Sequence, residues 1–255
     1  MKKITEASIK KHLGNDAFSF EIFDTIDSTN SYARKVLCDK HVVISDMQTA
    51  GRGRQGREFY SPKDNGIYMS VVLGVNKTFS ELDLFTVAIA TITCNAIEKN
   101  TGLDCKIKWV NDIFIKRKKV CGILCENIMS EDGTKIEYII VGIGINVASV
   151  ECFPEELSGI AGAIETDIDR NLLISEILKE IYGFSASYEF DKYLSDYRDK
   201  SLVIDKKISF VRNEIEYSGK VVSINDKGNL VVDTGADMIV LKSGEIRLYI
   251  ENVED

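Results

Sequence analysis

Residues 105–112, Cys105-Lys106-Ile107-Lys108-Trp109-Val110-Asn111-Asp112, alternate apolar and charged side chains and then stop at an Asn-Asp pair. Alternation with a period of two reads as a half-buried strand. Working outward, 80–100 is helical, with Phe85, Ile89, Ile92 and Ala96 on one stripe. Ser80 is the expected cap, with Asp83 three residues later, and Gly102 ends the helix. Two more strands follow around the basic turn Lys116-Arg117-Lys118, and 138–147 is another strand, carrying glycines. On the N-terminal side a helix is expected over 4–13 and strands at 18–22, 42–45 and 66–75. A helix should start at Asp27-Ser28-Thr29-Asn30, with Ala33, Val36 and Leu37 on its apolar face. Residues 47–65 read as a loop and 170–198 as mostly helical. Beyond about 200 only strand signals remain, with a turn at Asp226-Lys227-Gly228-Asn229. Several short strands in so few residues suggest a small β-barrel. The pattern divides the chain at 1–200 and 201–255.

The chain has 255 residues, 44% of them hydrophobic and 28% charged, so it is an ordinary globular sequence able to bury a sizeable core. Its net charge of −8 argues against a protein built mainly to grip nucleic acid. Six cysteines form no CxxC pair and no secretory signal is present, so they read as reduced thiols in the cytoplasm. Cys121 and Cys125 share a strand face and read as small apolar residues. With two histidines, a His-built metal site or Ser–His–Asp triad is disfavoured. No apolar run approaches the roughly 20 residues that cross a bilayer.

Three segments carry possible chemistry. In Gly51-Arg52-Gly53-Arg54-Gln55-Gly56-Arg57 three glycines alternate with three arginines, and 51–63 is +3 in an acidic protein. Glycine permits close backbone approach, and arginine supplies planar forks for phosphate or carboxylate. A solvated basic loop or a nucleic-acid contact is the plainer reading. Residues 106–119 carry +5, and the Asn-Asp end beside a basic hairpin could hold an anion and a divalent cation together. An exposed lysine-decorated hairpin is the alternative, and Trp109 reads as core. In Gly142-Ile143-Gly144-Ile145-Asn146 two glycines interrupt a strand, a mark of close approach by a ligand or backbone. The second half of a GxGxxG fingerprint is missing, and no GxxxxGK[ST] exists.

Taken together and in order, these segments resemble biotin protein ligases (biotin–acetyl-CoA-carboxylase ligases). The resemblance rests on Asp27-Ser28-Thr29-Asn30, on 48–57, on Lys108-Trp109-Val110-Asn111-Asp112, on 119–124, on 142–146, and on 156–161 with 168–171. It covers roughly 20–250. The family usually carries Pro where this chain has Val110. About 20 residues precede the first matching strand, too few for a DNA-binding module of about 60, so the ligase-only form, with no DNA partner, is expected.

The resemblance implies an α+β fold: a mixed-sheet catalytic domain flanked by helices, class II synthetase-like, followed by an SH3-like β-barrel. It implies that biotin and Mg·ATP give biotinoyl-5′-AMP and pyrophosphate. A lysine of a biotin carboxyl carrier protein, of acetyl-CoA carboxylase or a related carboxylase, then takes the biotinoyl group with no covalent enzyme intermediate. The first step brings a carboxylate against a polyanion. Each like-charge pair about 4 Å apart costs about 4 kcal/mol at an effective dielectric of about 20, so cations must converge.

By resemblance Lys119, Arg54 and Asp112 are catalytic. Biotin is expected against Ser28, Thr29, Asn30, Gln48, Gly51, Arg52, Gly53, Arg54, Lys119, Gly122 and Gly142. ATP is expected against Arg54, Arg57, Tyr60, Asn111, Asp112, Lys119 and Asn146, with Tyr60 on the adenine and Mg²⁺ or the acceptor lysine at Asp112. Lys116 and Lys118 serve as the surface contrast to Lys119. The arginine loop should order around ligand. A cytoplasmic protein without a membrane partner is expected, and family dimers form through the catalytic sheet, so a homodimer is compatible. Competing readings are a lipoate or octanoate transfer enzyme, a biotin sensor without turnover, and a nucleic-acid-binding module.

Overall fold

In the computed structural model, which describes residues 2–14, 16–148 and 153–248, alternating apolar stretches build two sheets. The larger contains β1 (Ser19–Phe23), β2 (His41–Ser45), β3 (Gly66–Lys77), β4 (Cys105–Lys108), β5 (Asp112–Ile115), β6 (Lys118–Met129) and β7 (Ile136–Asn146). Their order is β1-β2-β3-β7-β6-β5-β4. Only the β1–β2 pairing is parallel, so the sheet is mixed. Helices α1 (Glu6–Leu13), α3 (Phe85–Thr101), α5 (Arg170–Ser187) and α6 (Phe190–Asp199) cover one face. The short α2 (Thr29–Ala33) packs on the opposite face, above β2, β3 and β7. A last short helix, α4 (Glu155–Ser158), lies in the strap between β7 and α5. This is the α+β architecture expected from the sequence.

Three local details differ from the sequence reading. Helix α3 starts at Phe85 with no side-chain cap, and the capping falls on the 3₁₀ turn before it, at Thr78 and not Ser80. Glu81 accepts the Thr78 N–H at 2.9 Å and its hydroxyl at 2.8 Å, closing a capping box ahead of a 3₁₀ turn. Those bonds and Lys77 hold the Glu81 carboxyl at about 2. Helix α2 stops after Ala33, so Val36 and Leu37 follow it as loop; Val36 still packs against the small cluster of Ala33, Val43, Val72 and Ile140. Finally, Phe79–Thr101 does have the length and hydropathy of a membrane span, contrary to the sequence count. It is apolar nearly all round because 72% of its most apolar window is buried inside the fold.

The second sheet joins β8 (Lys207–Arg212), β9 (Ile215–Ile224), β10 (Leu230–Asp233), β11 (Met238–Leu241) and β12 (Ile246–Leu248) in the order β11-β10-β9-β8-β12, all antiparallel. That is consistent with the small barrel expected. The β8–β9 turn uses Asn213 and Glu214, both at positive φ, as a tight hairpin requires. In the β9–β10 turn Asn225 Oδ1 accepts from Lys227 N and Asn229 N, each at 3.0 Å.

The two sheets meet at β4. Ile107 bonds Lys200 and Leu202 through both its backbone groups, and Trp109 Nε1 donates to Gly228 O at 2.8 Å. Trp109 is thus buried, as expected, and its one polar atom is satisfied. Cys121 and Cys125 are free thiols that burial pushes up, Cys125 to about 12. Cys152 and residues 249–255 lie outside the described residues.

Candidate active site

A cavity of about 520 Å³ opens on the α2 face of the larger sheet. Its floor is where β6 and β7 pair Gly122 with Gly144 and Leu124 with Gly142. These glycines are there for lack of a side chain: a Cβ on Gly142 would stand 2.1 Å from Asn30 Oδ1, and one on Gly144 would stand 2.5 Å from the Phe59 ring. The arginine loop forms the roof. It folds on itself, with Gly53 N to Arg57 O at 2.7 Å and Phe59 N to Gly51 O at 2.8 Å.

One end of the cavity is a circuit of neutral polar groups. Ser28 caps α2. Gln48 Oε1 accepts from Thr29 N at 2.8 Å and from Thr29 Oγ1 at 3.1 Å, and Gln48 Nε2 donates to Ser61 Oγ at 2.8 Å. The Ser70 hydroxyl donates to Asn30 Oδ1 at 2.6 Å and lies 2.8 Å from Thr29 Oγ1. Ser28, Thr29, Asn30, Ser61 and Ser70 are all buried. The circuit therefore fixes which atoms can meet a ligand.

The other end is charged. Arg54 donates to Asn111 Oδ1 at 2.9 Å, and Asn111 Nδ2 donates to Ile123 O at 2.8 Å. Lys119 Nζ stands 2.8 Å from Asp112 Oδ1. Arg57 is ion-paired with Glu245 of the second sheet, 188 residues away. Arg52 pairs with Glu126 at 3.2 Å. Lys108 also lines this end, its pKa lowered chiefly by burial and further by Lys119, against the pull of Asp112. The peptide Trp109–Val110 is cis, at the position where the family pattern has proline, and Asn111 faces the cavity from there.

Of the residues expected from sequence, Ser28, Thr29, Asn30, Gln48, Arg52, Gly53, Arg54, Arg57, Asn111, Asp112, Lys119, Gly122 and Gly142 line this one cavity. Lys116 and Lys118 do not, and Lys118 instead donates to Ser158 O at 2.8 Å. Three expected residues lie outside the wall. Tyr60 is exposed and meets Phe153 edge-on. Gly51 sits behind the roof, where a Cβ would press on Phe59 O at 2.4 Å. Asn146 donates to Gly162 O, and Gly162 N in turn donates to Lys119 O, so Asn146 steadies the strap behind Lys119.

Sequence reasoning missed Phe59, Lys108 and residues 244–247 of the second sheet as wall residues, and Ser70 and Glu126 behind them. Ser70 did carry a signal, as a lone hydroxyl inside the apolar strand Gly66–Lys77.

Asp112 Oδ1 is buried and accepts no hydrogen bond of good geometry. A hard carboxylate oxygen whose close contact is the exchangeable Lys119 ammonium, beside cations able to hold phosphate, fits a magnesium ion carried in with a nucleotide. Cys94, Glu98 and Cys105 form another group of metal-ligand type. There Glu98 is already committed to Cys105 N and Lys200.

The mixed sheet thus carries a cavity that is polar at one end and cationic at the other. Residues 22–146 match the biotin/lipoate A/B protein ligase family. The "Bifunctional ligase/repressor BirA" of Bacillus subtilis is 30% identical over 96% of this chain and 79% of its own length. The "Biotin--[acetyl-CoA-carboxylase] ligase" of Mycobacterium tuberculosis is 26% identical, covering 95% of both chains. Among solved structures, the biotin protein ligase from Aquifex aeolicus in complex with biotin and ATP superposes with a TM-score of 0.77 at 27% identity, over 91% of this chain and 99% of that one. The chain belongs to the biotin/lipoate A/B protein ligase family.

Proposed function

We propose that this protein is an ATP-dependent biotin ligase. It activates biotin as biotinoyl-5′-AMP and passes it to a lysine of a biotin carboxyl carrier domain. The observation that carries the reading is the pairing, in one cavity, of a neutral hydrogen-bonding end with a cationic end. A ureido ring offers two N–H donors and one C=O acceptor, which suits Ser28, Thr29, Asn30 and Gln48. The relatives' names, and the Aquifex complex with biotin and ATP, support it.

In the first step a biotin carboxylate oxygen attacks the α-phosphorus and pyrophosphate leaves. Lys119 and Arg54 stand where charge grows on the phosphoryl oxygens, in a site already arranged to receive it. Arg57 and Lys108 are positioned for the departing phosphates, and Asn111 aims Arg54. Asp112 would hold the magnesium, which neutralises phosphate charge. In the second step the Asp112 carboxylate draws the acceptor ammonium towards the cavity. Once it has lost a proton to solvent, the neutral amine attacks the acyl carbon, the acyl–phosphate C–O bond breaks, AMP leaves as the phosphate anion and the new amide nitrogen sheds its second proton. The roof keeps water from the anhydride.

The reading places residues 1–200 as the catalytic unit, with 201–255 closing the nucleotide end. It places the protein in the cytoplasm, where its free thiols stay reduced. Incubation with biotin, ATP and a purified carrier domain should add one biotinoyl group to the carrier by mass spectrometry. Modification with lipoate but not biotin would move the chain to the lipoate branch of its family.

A further inference from the structure

The Glu126 carboxylate lies at the junction of two elements that otherwise meet only at the cavity. It follows Gly122 and Leu124 on the same face of β6, and its side chain is only 13% exposed. From the roof, the Arg52 fork reaches both its oxygens, Nη2 to Oε1 at 3.2 Å and Nη1 to Oε2 at 3.4 Å. From α2, Asn30 Nδ2 donates to Oε2 at 2.8 Å. Arg34 reaches Oε1 at 3.1 Å from the solvent side. Asn30 in turn holds Ser70, and through Thr29 the circuit continues to Gln48. An unbroken chain of polar contacts therefore runs from the roof arginine to the groups that face biotin.

We propose that Glu126 is a positioning residue that couples the biotin end of the cavity to closure of the arginine loop. The inference rests on the biotin-ligase reading. A ligand seated on Thr29, Asn30 and Gln48 fixes the Asn30 amide, which fixes the carboxylate, which holds Arg52 and shuts the roof. Loss of the charge frees the Arg52 part of the roof from α2, although the start of the loop stays tied to 26–29 by Thr49 N, Ala50 N and Gln48. The adenylate is then retained less well, although no group at the reacting phosphorus has changed. A charged acceptor serving Arg52, Asn30 and Arg34 is worth more than a neutral one, and its two oxygens allow the roof and α2 to be held at once.

The test uses Glu126→Gln, Arg52→Ala and the double variant in the full chain. Their melting temperatures report folding. Biotin-dependent ATP–pyrophosphate exchange gives KM and kcat, and chromatography measures free biotinoyl-AMP released during turnover. Glu126→Gln is expected to raise the biotin KM about tenfold, as for a lost hydrogen bond to a charged group. It should leave kcat at saturating biotin within about twofold and release several times more adenylate than wild type. Because the effect passes through Arg52, the double variant should be no worse than the poorer single variant.

An unchanged biotin KM and unchanged adenylate release in a folded Glu126→Gln protein would overturn the proposal. So would effects of the two substitutions that add in full, since a carboxylate that merely braces α2 through Arg34 would act independently of Arg52. Absence of biotin-dependent exchange in the wild type would instead remove the ligase reading itself, a separate outcome.

Discussion

The two ends of the cavity solve different problems with different materials. At the α2 end the buried polar side chains are bonded to one another in a neutral circuit from Ser61 through Gln48, Thr29 and Ser70 to Asn30, whose amide then meets the Glu126 carboxylate. At the β5–β6 end the cations are held by carboxylates or by an amide: Lys119 by Asp112, Arg57 by Glu245, Arg54 by Asn111. The first arrangement is rigid and reads shape and hydrogen-bond pattern. The second is exchangeable, since phosphate oxygens can replace protein carboxylates around an arginine or lysine. A ligand that is neutral at its head and joins a polyanion at its tail needs both.

Changes at the charged end should strike the rate, and changes at the neutral end should strike biotin affinity. The largest effect is expected from Lys119→Ala, which removes a cation beside the reacting groups. Exchange at saturating substrates should fall about 10³-fold, with far-UV circular dichroism unchanged. A comparable fall in Lys118→Ala would break the contrast, because Lys118 spends its ammonium on Ser158 O outside the cavity.

A smaller effect is expected from Gln48→Ala, which strips the acceptor from Thr29 N and Thr29 Oγ1. Steady-state kinetics should show the biotin KM rising about 10- to 100-fold. The ATP KM should stay within about twofold. A matching rise in both constants would mean that the two ends are not separate.

The smallest effect concerns stability. The Lys108 pKa is lowered mainly by burial, so folding disfavours its charged form relative to the unfolded chain. Between that lowered value and the ordinary lysine value the unfolded chain binds more protons, and stability rises with pH. Lys108→Met should therefore raise the melting temperature at neutral pH by about 2 °C and flatten the alkaline rise seen in urea unfolding, while weakening ATP use. A melting temperature that falls would show that the attraction of Asp112 for Lys108 outweighs its desolvation.

Much of this site can be read from the chain because its parts are local. The glycine–arginine roof spans a few consecutive residues, and the strand that ends in Asn111-Asp112 announces itself by alternation. The choice of Lys119 over its lysine neighbours follows the motif, and geometry explains it: its backbone is pinned on both sides by the strap at Ile160 and Gly162, which leaves the side chain over the floor.

What stayed hidden is non-local or a matter of one residue's phase. Nothing near Arg57 points to Glu245, because the two meet only when the second sheet docks. Glu126 looks like any strand carboxylate until Asn30 and Arg52 converge on it. Tyr60 was expected at the adenine by resemblance, but it turns outward and its neighbour Phe59 points in towards Gly122 and Gly144. Ser80 and Thr78 are both competent caps, and only Thr78 has Glu81 three residues on.

The most direct measurement is ATP–pyrophosphate exchange by the purified protein with biotin, with lipoate, or with neither. The account predicts exchange that requires biotin, is not supported by lipoate, and collapses in Lys119→Ala. Exchange that lipoate supports and biotin does not, or biotin binding with no exchange at all, would contradict it.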